Sequence, residues 1–245
     1  MGNWSCRRKN LFKDLHYNVD TVVGSADTYG SYVEIISSAT YNLAVVPESY
    51  GYSIGKNDLA IGGPGSEVNV VSGITVGQDN HRYPFPIGFR VKGGERVSMR
   101  SSAWSTGTKQ NGLIAYPESL CPVIVVDSVE TIGVSASGDN IYGVPVVSDT
   151  SAWIQLSDGS HGGAKMIVIS YQCGSPYYET ALSTKISIGI GSSYSSNTPI
   201  VDYPCGDQAF GPIPIYIPAG EAIWLYRNGS GESGSPARFA AYLIR

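Results

Sequence analysis

The chain has 245 residues and a mass of 26.0 kDa, with 16 Lys and Arg against 20 Asp and Glu, a net charge of −4 and a pI near 5.3. That balance excludes bulk electrostatic capture of nucleic acid, which needs basic side chains to neutralise phosphates. Thirty glycines and 14 prolines put a helix-breaker at about one position in every five or six, so long helices are excluded, and 42% hydrophobic residues with only 15% charged leave a folded, loop-rich β protein.

In chain order, residues 1–15 come first as an amino-terminal arm. It mixes apolar Trp4, Leu11 and Phe12 with cationic Arg7, Arg8 and Lys9. No apolar run here is long enough for a signal peptide or a membrane span, so neither secretion nor membrane insertion is expected. The opening Met1-Gly2-Asn3-Trp4-Ser5-Cys6 misses a myristoylation site because the sixth residue is Cys, not Ser or Thr. A segment both apolar and basic usually meets a partner, and the arm is expected to dock on a neighbouring subunit or another protein through these six residues.

From residue 16 the chain is made of short apolar or alternating runs bounded by Gly, Ser, Asn or Pro, the strand-and-turn signature of sandwiches. The two halves match in order. Val19-Asp20-Thr21-Val22 corresponds to Val129-Glu130-Thr131-Ile132, Val33-Glu34-Ile35-Ile36-Ser37 to Val144-Pro145-Val146-Val147-Ser148, and Leu59-Ala60-Ile61-Gly62 to Ile186-Ser187-Ile188-Gly189. Phe89–Val97 then aligns without a gap onto Ile215–Ile223, and each half closes on an apolar strand, Leu113–Tyr116 and Phe239–Ile244. The expectation is an all-β chain of two tandem β-sandwich, jelly-roll-like domains from an internal duplication, residues 16–118 and 119–245, with about seven or eight strands each. The second copy is longer, and its extra Gly/Ser/Tyr-rich stretches, Gly174–Tyr178 and Ser192–Asn197, belong in loops.

In Ile213-Pro214-Ile215-Tyr216-Ile217 the prolines remove ladder donors, so Pro212 and Pro214 belong on an edge strand. Pro218 presets the following turn and Gly220 can take a positive φ. This hairpin, Pro212–Glu221 followed by Ile223 and Arg227, resembles a repeated element of tailed-bacteriophage structural proteins, in which a proline-rich strand, a Pro-Ala-Gly turn and a strand ending near Arg recur in small β-sandwich domains. The first copy departs from it with Lys92-Gly93-Gly94. The resemblance covers about fifteen residues per copy, implies a virion component assembled in the host cytoplasm, and carries over no ligand-binding residue.

Catalytic signatures are missing from the sequence. There is no Gly-x-Ser-x-Gly elbow, and Gly51–Asn57 falls one residue short of a phosphate loop and lacks its closing Ser or Thr. His16, His81 and His161 are isolated and read as surface or loop residues; Asp139, Asp149, Asp158, Asp202 and Asp207 sit beside turn formers. Cys6, Cys121, Cys173 and Cys205 have no metal-ligand spacing and read as small buried apolar side chains, with a Cys173–Cys205 bridge as an alternative. The expectation is therefore no cofactor, no metal and no enzymatic activity. Tyrosine is abundant at 17 residues, and Tyr177, Tyr178 and Tyr194, with Glu179, are candidate contacts for a host-surface glycan or receptor. Two readings follow: a structural virion protein that assembles with other virion proteins and with its own copies, a trimer first because three tandem chains display six similar domains, or a carbohydrate- or receptor-binding module.

Overall fold

The computed structural model of the chain describes residues 16–49, 55–76, 83–135, 142–146, 153–172, 185–192, 198–204, 209–228 and 237–245. Apart from a 3-10 turn at Glu118–Leu120, every regular element among them is a strand, as the density of glycine and proline requires.

In the first half the strands are β1 (His16–Val23), β2 (Val33–Ile36), β3 (Leu43–Ser49), β4 (Gly55–Ile61), β5 (Val68–Val76), β6 (Tyr83–Pro84), β7 (Ile87–Val91), β8 (Val97–Ala103) and β9 (Gly107–Pro117). They form one sheet in the order β1-β9-β3-β7, with β6 added on β3, and a second in the order β2-β8-β4-β5. The linker strand β10 (Ile124–Val126) then adds to the first sheet, parallel to β7, although it follows residue 118.

The second half contains β11 (Glu130–Ile132), β12 (Val144–Val146), β13 (Ile154–Ser157), β14 (Ala164–Gln172), β15 (Lys185–Ile190), β16 (Thr198–Pro204), β17 (Ala209–Ile217), β18 (Ile223–Asn228) and β19 (Ala237–Ile244). Its sheets run β11-β19-β14-β17, with β12 on β19, and β13-β18-β15-β16. Substituting β11, β13, β14, β15, β16, β17, β18 and β19 for the eight main strands of the first half reproduces both sheet orders. That order is the eight-stranded jelly roll. Each half is a β-sandwich of the same topology; descent from one duplicated domain stays an expectation from the sequence.

The strongest sequence match lands on equivalent hairpins, β7–β8 and β17–β18. Both turns carry glycine at their third position with φ of 89° at Gly94 and 84° at Gly220. The amides of Glu95 and Glu221 reach back to the carbonyls of Lys92 and Pro218 at 3.1 and 3.4 Å, the pattern of a type II turn. Pro212 and Pro214 lie on β17, which among the described residues is an edge strand paired with β14 alone. Two matches need correction. Leu59 stands opposite Met99 and Ile188 opposite Leu225, so β15 slides by two residues relative to the alignment drawn from sequence; a two-residue slip keeps the same side chains inward and is invisible to an alternation pattern. Val144–Val146 joins the sheet of β19, whereas the counterpart of β2 is β13 on β18.

The packing follows from alternation. Within the first sandwich Val45, Leu59, Ile87, Phe89, Val97, Met99 and Leu113 interlock; within the second, Ile167, Ile169, Ile188, Ile217, Ile223 and Leu225 do. The sheet containing β14 and β19 is buried on both faces. Along β19, Phe239, Ala241 and Leu243 enter the second core, while Ala240, Tyr242 and Ile244 belong to the cluster of the first sandwich, and on β14 Val168 joins them. Phe85 meets the Tyr242 ring edge-on at 4.9 Å. The two sandwiches thus share an apolar seam rather than being strung on a linker.

Candidate functional site at the seam between the sandwiches

Opposite Asp58 on β4, strand β5 carries a bulge at Ser72–Gly73, where the register shifts and Gly73 takes a φ of 67°. Positive φ frees the bulge to turn its carbonyls toward the second sandwich. Thr131 Oγ1 donates to Ser72 O at 2.6 Å, Tyr242 OH to Gly73 O at 2.9 Å, and the Val129 amide to Val70 O at 2.9 Å. The amide of Gly73 faces the other way and donates to Asp58 Oδ1 at 2.8 Å.

Asp58 is 1% exposed, and a buried carboxylate is tolerated only if it is paired and fully bonded. Tyr29 OH donates to Oδ1 at 2.7 Å, and Arg100 donates to Oδ2 from Nε at 2.9 Å and Nη2 at 2.8 Å. The guanidinium lies between two rings, 4.4 Å from the Tyr29 centroid and 4.6 Å from that of Tyr32. Tyr32 OH donates to Asn69 Oδ1, and Asn69 Nδ2 donates to Ser72 Oγ at 2.9 Å. Beside this cluster the Lys56 side chain, 2% exposed, reaches from the first sandwich to donate to Ser135 O at 3.0 Å, and Tyr142 donates to Asp27 Oδ1 at 2.5 Å. Polar groups therefore rim the apolar seam and fix its register.

Burial, followed by the charge of Asp58, holds the Tyr29 hydroxyl far above the usual tyrosine range; burial and the bond to Asp27 do the same to Tyr142. Lys56 is held below its ordinary value by burial, against the pull of Asp58. Burial works against the charged form of Arg100, but Asp58 outweighs it and raises the net value.

At the linker end of the seam lies a cleft of about 460 Å³. Val126, Val129 and Ile244 supply apolar walls, and Arg90 and Arg245 close its rim through three ion pairs. Arg90 binds Glu118 at 2.6 Å and Asp127 at 2.5 Å, while Arg245 binds Glu130 at 2.5 Å. Each guanidinium is thus already paired with a carboxylate. Among the described residues no group of three or more His, Cys, Asp or Glu is placed to hold a metal ion.

The residues singled out in sequence fall elsewhere. Trp4, Arg7, Arg8, Lys9, Leu11, Phe12, Tyr177, Tyr178, Glu179 and Tyr194 lie outside the described residues, as do His81, Cys6, Cys173 and Cys205. Cys121 is half-buried against Val46, Ile114 and Tyr116. His161 is in a loop, but buried, its Nδ1 2.7 Å from Gly162 O and Nε2 2.8 Å from Glu221 O, so it staples this loop to the β17–β18 turn. Asp158 caps its own turn through the Ser160 amide at 2.9 Å. Tyr29 and Tyr32 were missed, although Asp27-Thr28-Tyr29-Gly30-Ser31-Tyr32 has the same Tyr/Gly/Ser composition as the loops that drew notice.

No helix among the described residues is long and apolar enough to cross a membrane. The sequence matches no protein-family model and no curated protein. Among solved structures, PNGF-II is similar at 9% identity over 100% of this chain and 68% of its own, with a TM-score of 0.34. A peptide-N(4)-(N-acetyl-β-D-glucosaminyl) asparagine amidase is similar at 10% identity, 93% of this chain and 94% of its own, TM-score 0.35. PNGase F, a glycosylasparaginase from Flavobacterium meningosepticum, is similar at 8% identity, 93% and 94% coverage, TM-score 0.36. The second and third of these are named as an amidase and a glycosylasparaginase, which corrects the expectation of a chain without enzymatic activity: it rested on missing motifs alone, and motifs tied to α/β sheets and phosphate loops do not screen a β-sandwich. At these identities the likeness is one of β fold and assigns no catalytic role to any residue of this chain.

Proposed function

We propose that the chain is a structural protein of a bacteriophage virion, a tail, baseplate or capsid-surface component that assembles through protein–protein contacts. The observation that carries this reading is the locking of two jelly rolls of one strand order into a single body through a sheet buried on both faces. Jelly rolls are a recurrent building block of viral capsids. One chain then presents two similar sandwiches at a set angle, and three chains in a ring present six, a closed arrangement compatible with sixfold sites in particles. The prolines of β17 make that edge a poor template for open-ended strand pairing, which favours contacts through side chains. Trp104, 60% exposed, and Tyr216, 75% exposed, are apolar groups available for such contacts.

Light scattering and electron microscopy on the purified full chain test the reading. A closed trimer, together with the chain's peptides in purified virions, is expected. A monomer at every concentration would remove the trimer, and virions lacking those peptides would remove the virion assignment.

A further inference from the structure

The smaller sheet of each sandwich turns one face away from its core, and the two faces differ in chemistry. In the first sandwich, cross-strand rows place Ser98 beside Ala60 and Arg100 beside Asp58. In the second, the equivalent rows place Trp224 beside Gly189 and Tyr226 beside Ser187. Ion pairs on one sandwich are replaced by aromatic rings on the other.

Trp224 and Tyr226 face outward because Ile223 and Leu225, which alternate with them, fill the second core. Trp224 Nε1 donates to Gly191 O at 2.9 Å. That bond draws the indole along β15, past Gly189, which has no side chain to stand in the way. Trp153, at the entry to β13, meets the Tyr226 ring at 5.6 Å with the planes inclined by 44°. Gln155, across the ladder from Trp224, is exposed, and the three aromatic residues are half-buried, so part of each remains at the surface. This face presents rings, an amide and a hydroxyl, and by register Asp202, opposite Ser187, and Lys185, opposite Asn228, stand on it as well.

We propose that this face is a binding site for a saccharide, with a pyranose ring stacked against Trp153 and Tyr226 and its hydroxyls bonded to the Gln155 amide and the Tyr226 phenol. The apolar C–H face of a pyranose matches an aromatic ring, and its hydroxyls match uncharged donors and acceptors. Two rings inclined by 44° beside an exposed amide suit a small ring-shaped ligand, where a protein partner would ask for a broad surface.

The full chain is screened on a glycan array and titrated with the methyl β-glycosides of glucose, galactose and N-acetylglucosamine, followed by saturation-transfer NMR. Single-site affinities on the order of millimolar are expected for the monosaccharides. Trp153→Ala and Tyr226→Ala should each weaken binding about tenfold or more; Tyr226→Phe, which keeps the ring, should cost about threefold; Val68→Ser, exposed on β5 of the other sandwich, should change nothing. Gln155→Ala alters an exposed amide and decides the matter if the aromatic variants fail to fold, with a loss of about threefold to tenfold expected. No binding to any arrayed or titrated sugar, or binding indifferent to Gln155, Trp153 and Tyr226, would overturn the proposal. Neither result depends on the assembly state, which light scattering reads separately.

Discussion

Replacing Asp58 by alanine is the most demanding test of the seam. The substitution removes the acceptor of the Tyr29 hydroxyl, the Gly73 amide and the Arg100 guanidinium together. Breaking a buried ion pair from one side costs about 3–5 kcal/mol when the remaining charge has no water. Here Arg100 is 29% exposed at its side chain, so solvent recovers part of that loss. The Gly73 amide has no such relief, since Gly73 is buried and its orphaned donor alone costs about 1–3 kcal/mol. The two together place the loss at about 3–4 kcal/mol, or roughly 10 °C in Tm for a chain of this size. Urea unfolding in a Trp4→Phe, Trp104→Phe background, where fluorescence of Trp153 and Trp224 reports the second sandwich and circular dichroism the whole, should show both probes moving together, because the lost bonds hold the bulge that the second sandwich grips. Asp58→Asn, which keeps an acceptor without the charge, should fall between the two. A loss below about 1 kcal/mol, or a shift confined to one probe, would refute the idea that Asp58 supports the seam.

Tyr242→Phe should cost about 1 kcal/mol through the bond to Gly73 O, and Tyr242→Ala about 3–5 kcal/mol through the cavity it opens, both read by chemical denaturation. Lys56→Met should be neutral or stabilising by up to about 1 kcal/mol, since a buried ammonium held, among the described residues, by one carbonyl and the face of the Tyr29 ring is replaced by an apolar chain of like length; a loss above about 2 kcal/mol would contradict this. Tyr29 and Tyr142 have raised folded-state values, so as pH climbs past about 10 the unfolded chain ionises while the folded one does not, and stability is lost. Lys56, depressed by burial, acts in the opposite sense, so the check is the slope of wild type against Tyr29→Phe between about pH 9 and 11: the variant should fall less steeply. Gly220→Ala meets no atom within 4 Å and should cost only the roughly 1 kcal/mol of a left-handed backbone, whereas Gly143→Ala drives its Cβ to 2.8 Å from Phe239 O and should cost clearly more in thermal melts.

What was legible in the sequence was whatever repeats locally. The β7–β8 and β17–β18 hairpins declare themselves through a gapless match and a glycine turn, and Pro212 and Pro214 declare an edge. Strand β15 was found but misaligned by two, because Leu59 and Ile61 satisfy the same alternation as Ile186 and Ile188. Val144–Val146 matches β2 in sequence but pairs with β19, since a short β-branched run does not say which of two sheets it joins. The seam was hidden altogether. Asp58 looks like any polar residue in a strand until Tyr29, Gly73 and Arg100 arrive from other segments, and Ala240 and Tyr242 look like the outward half of an ordinary strand until a second body covers them.

That covered sheet has a consequence for how the chain melts. By topology there are two units, and two units on a loose tether would give two heat-absorption peaks. A wall whose opposite sides serve different interiors cannot lose one tenant and keep the other's packing: when either sandwich opens, Val168, Ala240 and Tyr242 are stripped of neighbours at once. Calorimetry should therefore record a single transition whose van't Hoff enthalpy approaches that of the entire chain, so that by energetic count the protein is one.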